Sequence, residues 1–440
     1  MNDSFHKTLG PLMVWGLGVG YVISGMYFGW NLGLVEGGPY GMGVATLFVT
    51  LMYVCFVLSY AELCCALPRA GGAFVYTSRA LGNGWGFLAG MAQVVEFVFA
   101  PPAIAFAIGA YFHLFFPEIS AITIAVFAYL LFTGLNIYGV KQSAVFELVI
   151  TVIAVIEILI FTGIAAPEFS FEAFQKNPLP NGWWGVFRAI PFAIWFYLAI
   201  EGIANIAEET INPKRDLLIG FSSAMTTLVI LAFLVFFSSV GVSGWEAIVY
   251  DPKTGSLSDS PLPLALSQIV GGNHFFYHLL ITIGLFGLVA SFHGIILVAG
   301  RATFEFGRLG YAPKILGTLL SQRKTPMWAL LCNLGIGLIA LFTGKTSEII
   351  TIAVFGALTL YVLSTYSMIR LRAKEPQLHR PFKVPGYPWV PRIALLLSFI
   401  ALVSLFISQP KEGIIYVSLL SGGGLWYRLI VPSSLKKQEV

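Results

Sequence analysis

Gly18-Val19-Gly20-Tyr21-Val22-Ile23-Ser24-Gly25-Met26-Tyr27-Phe28-Gly29 interrupts the first apolar segment of the chain. Five segments later, Pro191-Phe192-Ala193-Ile194-Trp195-Phe196-Tyr197-Leu198-Ala199-Ile200-Glu201-Gly202 interrupts the sixth. In hydrocarbon an unpaired backbone group costs several kcal/mol, so irregular backbone persists there only where it lines a protected cavity or binds something. Matching breaks in two halves of a membrane chain point to a solute site near the bilayer midplane.

Composition supplies the membrane. With 57% hydrophobic and only 10% charged residues over 440 positions, the chain cannot present an ordinary hydrated surface. Apolar stretches near the 20 or so residues needed to cross hydrocarbon recur along its length. We read twelve: Leu12–Leu34, Gly43–Leu67, Trp85–Phe112, Ser120–Tyr138, Val145–Ala166, Phe187–Ala207, Leu217–Val242, Phe275–Gly300, Met327–Thr343, Ile349–Met368, Ile393–Ile407 and Gly413–Val431. The first lacks a small-residue cleavage site and is read as a retained helix, not a signal peptide.

Twenty of the 25 Lys and Arg fall in segments on one side of this pattern, Lys141, Lys436 and Lys437 among them. Lys176, Arg188, Lys253, Lys345 and Lys411 fall on the other. The positive-inside rule then places both termini in the cytoplasm, with the chain in the plasma (inner) membrane. Topology accounts for the net charge of +4, and no basic stripe is left to suggest nucleic acid. Cys55, Cys64, Cys65 and Cys332 lie in or beside apolar helices without His partners, so packing is expected, with no metal site and no disulfide.

Two loops stand out. Ser243–Gly272 is long enough to hold a short external helix over the pathway, a lid candidate. Pro376, Pro381, Pro385, Pro388 and Pro391 alternate with Arg380, Lys383 and aromatics, which reads as a stiff extended connector on the cytoplasmic side.

The second span and its loop, Ser59-Tyr60-Ala61-Glu62-Leu63 through Leu67-Pro68-Arg69-Ala70-Gly71-Gly72-Ala73-Phe74-Val75-Tyr76, resemble the signature of the amino acid, polyamine and organocation transporter superfamily. Further blocks agree in order: Ala207-Glu208-Glu209 with Asn212-Pro213-Lys214-Arg215-Asp216, Arg308-Leu309-Gly310-Tyr311-Ala312-Pro313, and Arg380-Pro381-Phe382-Lys383-Val384-Pro385-Gly386-Tyr387-Pro388-Trp389. Within it the chain looks most like the ethanolamine permeases, through Ser24–Asn31 and Pro191–Glu201. The resemblance implies an all-α polytopic membrane protein with twelve transmembrane helices and a leucine-transporter-type 5+5 inverted repeat. Helices 1 and 6 are discontinuous in that fold, and two helices are added at the end. The units are then residues 1–166, 167–370 and 371–440, the last comprising the proline-rich connector and helices 11 and 12. Alternating access works around the central site.

An unwound helix exposes amide N–H groups on one half and carbonyls on the other. Amino acid carriers of this superfamily use the amides for a carboxylate. Here the usual small-residue triplet is Ile23-Ser24-Gly25, followed by Met26 and Tyr27, so the anion nest is narrowed and a substrate without a carboxylate becomes plausible. Carboxylates inside a membrane are expensive and are functional candidates by default. Glu201 sits at the sixth break, where the superfamily places an acid implicated in substrate or proton coupling. Glu96, ahead of Pro101-Pro102, is a candidate ammonium counter-ion. Glu157 is a candidate for a proton path, while Glu147, Glu62 and Glu208-Glu209 read as structural, the last three paired with Arg69, Lys214 or Arg215. Trp195 is the candidate cover or gate, as relatives use an aromatic there, and Leu198 and Ala199 mark the break. Ser291 and His293 on the eighth span complete the candidate site.

No adjacent Ser/Thr pair on the eighth span, only Ser291 and Thr282, offers a sodium site, and Ala154 stands where some relatives carry a cation-replacing lysine. Proton coupling is the preferred reading, with exchange as the other. The expected function is therefore import of a small amine or amino acid, ethanolamine first, with no cofactor and with membrane lipid as solvent. A membrane enzyme would need a cluster of catalytic His, Asp or Cys, which the chain lacks. A transporter-like solute sensor would need an output domain, and only a short tail follows the last span.

Overall fold

The computed structural model describes residues 7–69, 71–139, 144–343 and 345–432. Lys141, Lys436, Lys437 and Ala70 lie outside them. Seventeen α-helices are present among the described residues: α1 Pro11–Val22, α2 Ser24–Tyr27, α3 Leu32–Ala66, α4 Ala73–Leu81, α5 Asn83–His113, α6 Ala121–Tyr138, α7 Ala144–Ala165, α8 Phe171–Phe174, α9 Trp184–Trp195, α10 Pro213–Ser243, α11 Glu246–Val249, α12 Pro261–Val270, α13 Phe275–Arg308, α14 Met327–Phe342, α15 Thr346–Lys374, α16 Trp389–Ser408 and α17 Pro410–Leu429. A 3₁₀ segment, Ile200–Glu209, follows α9.

Nine of the described helices are long and apolar enough to cross a membrane. Three spans read from the sequence fall outside that set for separate reasons. The first is divided by its break, α14 is only 16 residues long, and α17 carries Lys411, Glu412 and Gly422-Gly423-Gly424. The last three residues of the first span, Leu32–Leu34, and the second span as far as Ala66 form one element, α3, bent where Gly38 takes φ 60° ahead of Pro39.

α5 packs against α13 and α15, α3 against α9, and α1 against α7, α10 and α13. The broken segments therefore lie inside the bundle, while Leu47, Phe127, Phe286 and Phe399 are among the apolar side chains exposed on its outside, where lipid takes the place of water. The Ser243–Gly272 loop holds two short helices, α11 and α12.

At the end carrying Leu9 and the connector, Glu62 is buried. It accepts from Arg372 Nε at 2.8 Å and the Val384 backbone N–H at 2.7 Å, and Arg380 lies 3.3 Å away. Glu209 pairs with Arg301 at 2.8 Å. These partners differ from the expected Arg69, Lys214 and Arg215. The end of α15 and the connector fold over the end of α3, bringing in Arg372 and Arg380, more than 300 positions from Glu62.

Candidate functional site

α1 ends at Val22, and Ile23 separates it from the single turn α2, so the first interruption begins where the small residues stand. Ile23 keeps right-handed φ/ψ and bonds back to Val19 O, while Met26 N–H to Ile23 O and Phe28 N–H to Ser24 O close the single turn of α2. The full break comes at Phe28, which is extended, and Gly29, with φ 86°. The first interruption therefore runs from Ile23, beside the expected Ser24-Gly25, to Gly29. The second break falls where expected: α9 ends at Trp195, and Ala199 adopts φ 78° before the 3₁₀ segment. The left-handed region costs an L-residue such as alanine about 1–2 kcal/mol, so packing must hold this turn.

The two interrupted segments meet. A Cβ on Gly25 would lie 2.2 Å from the Trp195 carbonyl oxygen, so only glycine admits this crossing. The Trp195 indole covers the first break: it contacts Phe28 edge-on at 5.4 Å, and a Cβ on Gly29 would fall 2.6 Å from its Nε1. Ile23, Met26, Leu198 and Ala199 are all buried around the crossing.

The candidate polar residues divide into two clusters. On the α7 and α13 side, Ser24 Oγ lies 2.8 Å from Ser291 Oγ, and Ser291 donates to the Tyr21 carbonyl at 2.7 Å. Tyr27 donates to Glu157 Oε2 at 2.6 Å and lies 3.2 Å from the Ala154 carbonyl, while Tyr111 donates to the Tyr27 carbonyl. Tyr27 thus reaches into the space beside Ala154.

On the α5 and α15 side, Glu96 and Glu201 are buried with their carboxyl groups facing each other. Glu201 Oε2 accepts from Tyr361 at 3.0 Å, and Tyr361 lies 2.9 Å from the Tyr53 hydroxyl. The two carboxyl groups are close enough to share a hydrogen bond, and the Ala199 backbone N–H points at Glu96. Gly356 lets α15 press against α5 here, since a Cβ would sit 2.8 Å from the Glu96 nitrogen. Tyr53 and Tyr361 escaped the sequence reading because each is a lone residue in a long apolar span. The available signal was that a buried tyrosine must find a partner for its hydroxyl.

His293 does not join either cluster. Two helix positions from Ser291, about 200° around the axis, it faces α6, with Nδ1 3.2 Å from Asn136 Nδ2 and Phe132 edge-on to its ring. Thr282 is spent on the His278 carbonyl. Glu147 is buried against Gly20 and Gly294, with both oxygens unpartnered. Asn31 ties the first break to the Ser243–Gly272 loop: it accepts from Gly29 N–H at 3.1 Å and donates to the Ser258 carbonyl at 2.8 Å.

A polytopic helical bundle with two facing broken segments and buried acids at their crossing has the form of a membrane carrier. A model of the amino acid permease family matches residues 9–433. The chain is 28% identical to an uncharacterised transporter of Rhizobium meliloti (strain 1021), over 96% of this chain and 91% of that one. It is 27% identical to the branched-chain amino acid permease BcaP of Bacillus subtilis (strain 168), over 92% and 89%. To the serine/threonine exchanger SteT of the same organism it is 24% identical, over 97% of each. The chain belongs to the amino acid permease family of the amino acid, polyamine and organocation superfamily. It is an integral membrane transporter rather than an enzyme.

Proposed function

We propose that this transporter imports ethanolamine, a small protonated amine, together with a proton across the plasma membrane by alternating access. The observation that carries this reading is the Glu96–Glu201 pair. An ammonium group has three N–H donors, and two buried carboxyl groups stand together beside the Tyr361 hydroxyl and ring as acceptors for it. An ammonium ion leaving water forfeits several kcal/mol of hydration, which such acceptors replace. One ammonium and one proton together neutralise two carboxylates, so the fully loaded site carries no net charge.

In this reading the first span, α14 and α17 join the nine long helices as twelve crossings, with both termini cytoplasmic and residues 1–166 and 167–370 as inverted repeats. Trp195 covers the substrate, and Glu157, held by Tyr27, extends the proton path.

A second reading, an amino acid permease or exchanger, is favoured by the names of the Bacillus relatives. Counterflow in proteoliposomes with labelled amines and amino acids separates the two. Ethanolamine should exchange fastest, and exchange confined to amino acids would overturn the assignment. Glu201→Gln should keep counterflow while losing uptake driven by an inward proton gradient. Normal driven uptake with an unchanged pH profile would move the role to Glu96. A strict sodium requirement would refute proton coupling.

A further inference from the structure

On the outside of the bundle, α15, α16 and the junction of α4 with α5 enclose a groove of about 880 Å³. Its floor is apolar and aromatic, with Trp85, Tyr366, Leu396 and Phe399 all exposed. Arg370 and Arg392 line it as well, and no acidic side chain does. Arg392 and Phe399 are seven positions apart on one helix, about 10 Å at 1.5 Å per residue, so the groove runs from a guanidinium end to a purely apolar end. The arginines stand near the end of α15 at Lys374 and the start of α16 at Trp389, where the chain leaves the apolar zone. The nearby acid, Glu375, is held by Arg79 Nε and Nη2 at 2.7–3.2 Å.

We propose that this groove is a binding site for one anionic phospholipid, its phosphate on Arg370 and Arg392 and an acyl chain along Leu396 and Phe399. Guanidinium groups recognise phosphate through paired N–H donors, and basic pockets between membrane helices suit anionic headgroups. A second copy of the chain is disfavoured as occupant, because a two-fold contact through this patch would set four arginines against one another. The inference needs only the membrane assignment and is independent of the substrate.

Native mass spectrometry of the delipidated full-length chain tests it, with phosphatidylglycerol, phosphatidylcholine and inorganic phosphate as separate probes. Two arginines at the membrane surface predict one retained phosphatidylglycerol, favoured about 30-fold over phosphatidylcholine. Arg370→Gln/Arg392→Gln should reduce that preference to below about threefold, with an unchanged melting temperature in detergent, since both residues are exposed. Leu396→Trp, which fills the apolar floor and keeps both charges, should lower retention of both lipids. Equal retention of the two lipids by the native chain, an undiminished preference in the double variant, competition by inorganic phosphate at lipid concentrations, or a dimer in place of a lipid-bound monomer would each overturn the proposal.

Discussion

Gly25→Ala tests whether the crossing of the two broken segments builds the site. The new methyl would meet the Trp195 carbonyl oxygen at 2.2 Å, its carbonyl carbon at 3.1 Å and the Phe196 Cα at 3.3 Å, all of them backbone. Ordinary contact begins at 3.4 Å, so the segments must separate by 3.4 − 2.2 = 1.2 Å. Ser24 lies one residue away and 2.8 Å from Ser291, so a shift of that size takes the pair beyond hydrogen-bond distance. Overpacking of this kind costs about 1–3 kcal/mol. If the strain is relieved only by distorting the bound state, the same energy weakens affinity about 5-fold to 150-fold. Gly134→Ala in α6 is the control: no atom lies within 4 Å of its Cβ, and replacing a helix-interior glycine gains roughly 0.5–1 kcal/mol. Melting in detergent and concentration-dependent uptake in proteoliposomes should therefore move in opposite directions for stability, with affinity lost only for Gly25→Ala. Wild-type affinity and stability in Gly25→Ala would refute the argument.

Glu62→Gln should destabilise the chain by about 3–5 kcal/mol, because it leaves the guanidinium groups of Arg372 and Arg380, 17% and 7% exposed, against a neutral amide. A melting change equivalent to less than 1 kcal/mol would contradict a buried clasp between α3, α15 and the connector. In the lid, burial pushes the Asp259 carboxyl up from 3.8 to about 6, only partly offset by the hydrogen bond from Thr346 at 2.9 Å. The packed lid then binds more protons than the open lid between about pH 4 and pH 6, so lid packing is strongest in acid and weakens as pH rises through 6. Hydrogen exchange over residues 250–260, corrected for intrinsic rates, should be faster at pH 7.5 than at pH 5, and Asp259→Asn should remove the difference. Equal pH dependence in both proteins would show that Asp259 is not the group responsible.

The membrane class and the second break were legible because each rests on local physics: hydropathy over about 20 residues, and Pro191 and Gly202 around a turn that must leave the helix. The partners of Glu62 were not legible, since charge pairing depends on which distant segments the fold brings together, and nearby Arg69, Lys214 and Arg215 had no competitor in a linear reading. Ser291 and His293 looked like one site because they are neighbours in sequence, yet two positions on a helix point to nearly opposite sides, and only one of them faces α1. The first break is the most instructive element. Glycine serves two purposes, adopting positive φ and permitting close approach, and the letters do not distinguish them. Gly25 and Gly29 divide the labour: Gly29 turns the chain, while Gly25 stays within a helix and makes room for the Trp195 carbonyl. Gly25 thereby sets how closely the two interrupted segments approach, and the buried carboxyl groups of Glu96 and Glu201 stand beside the second of them.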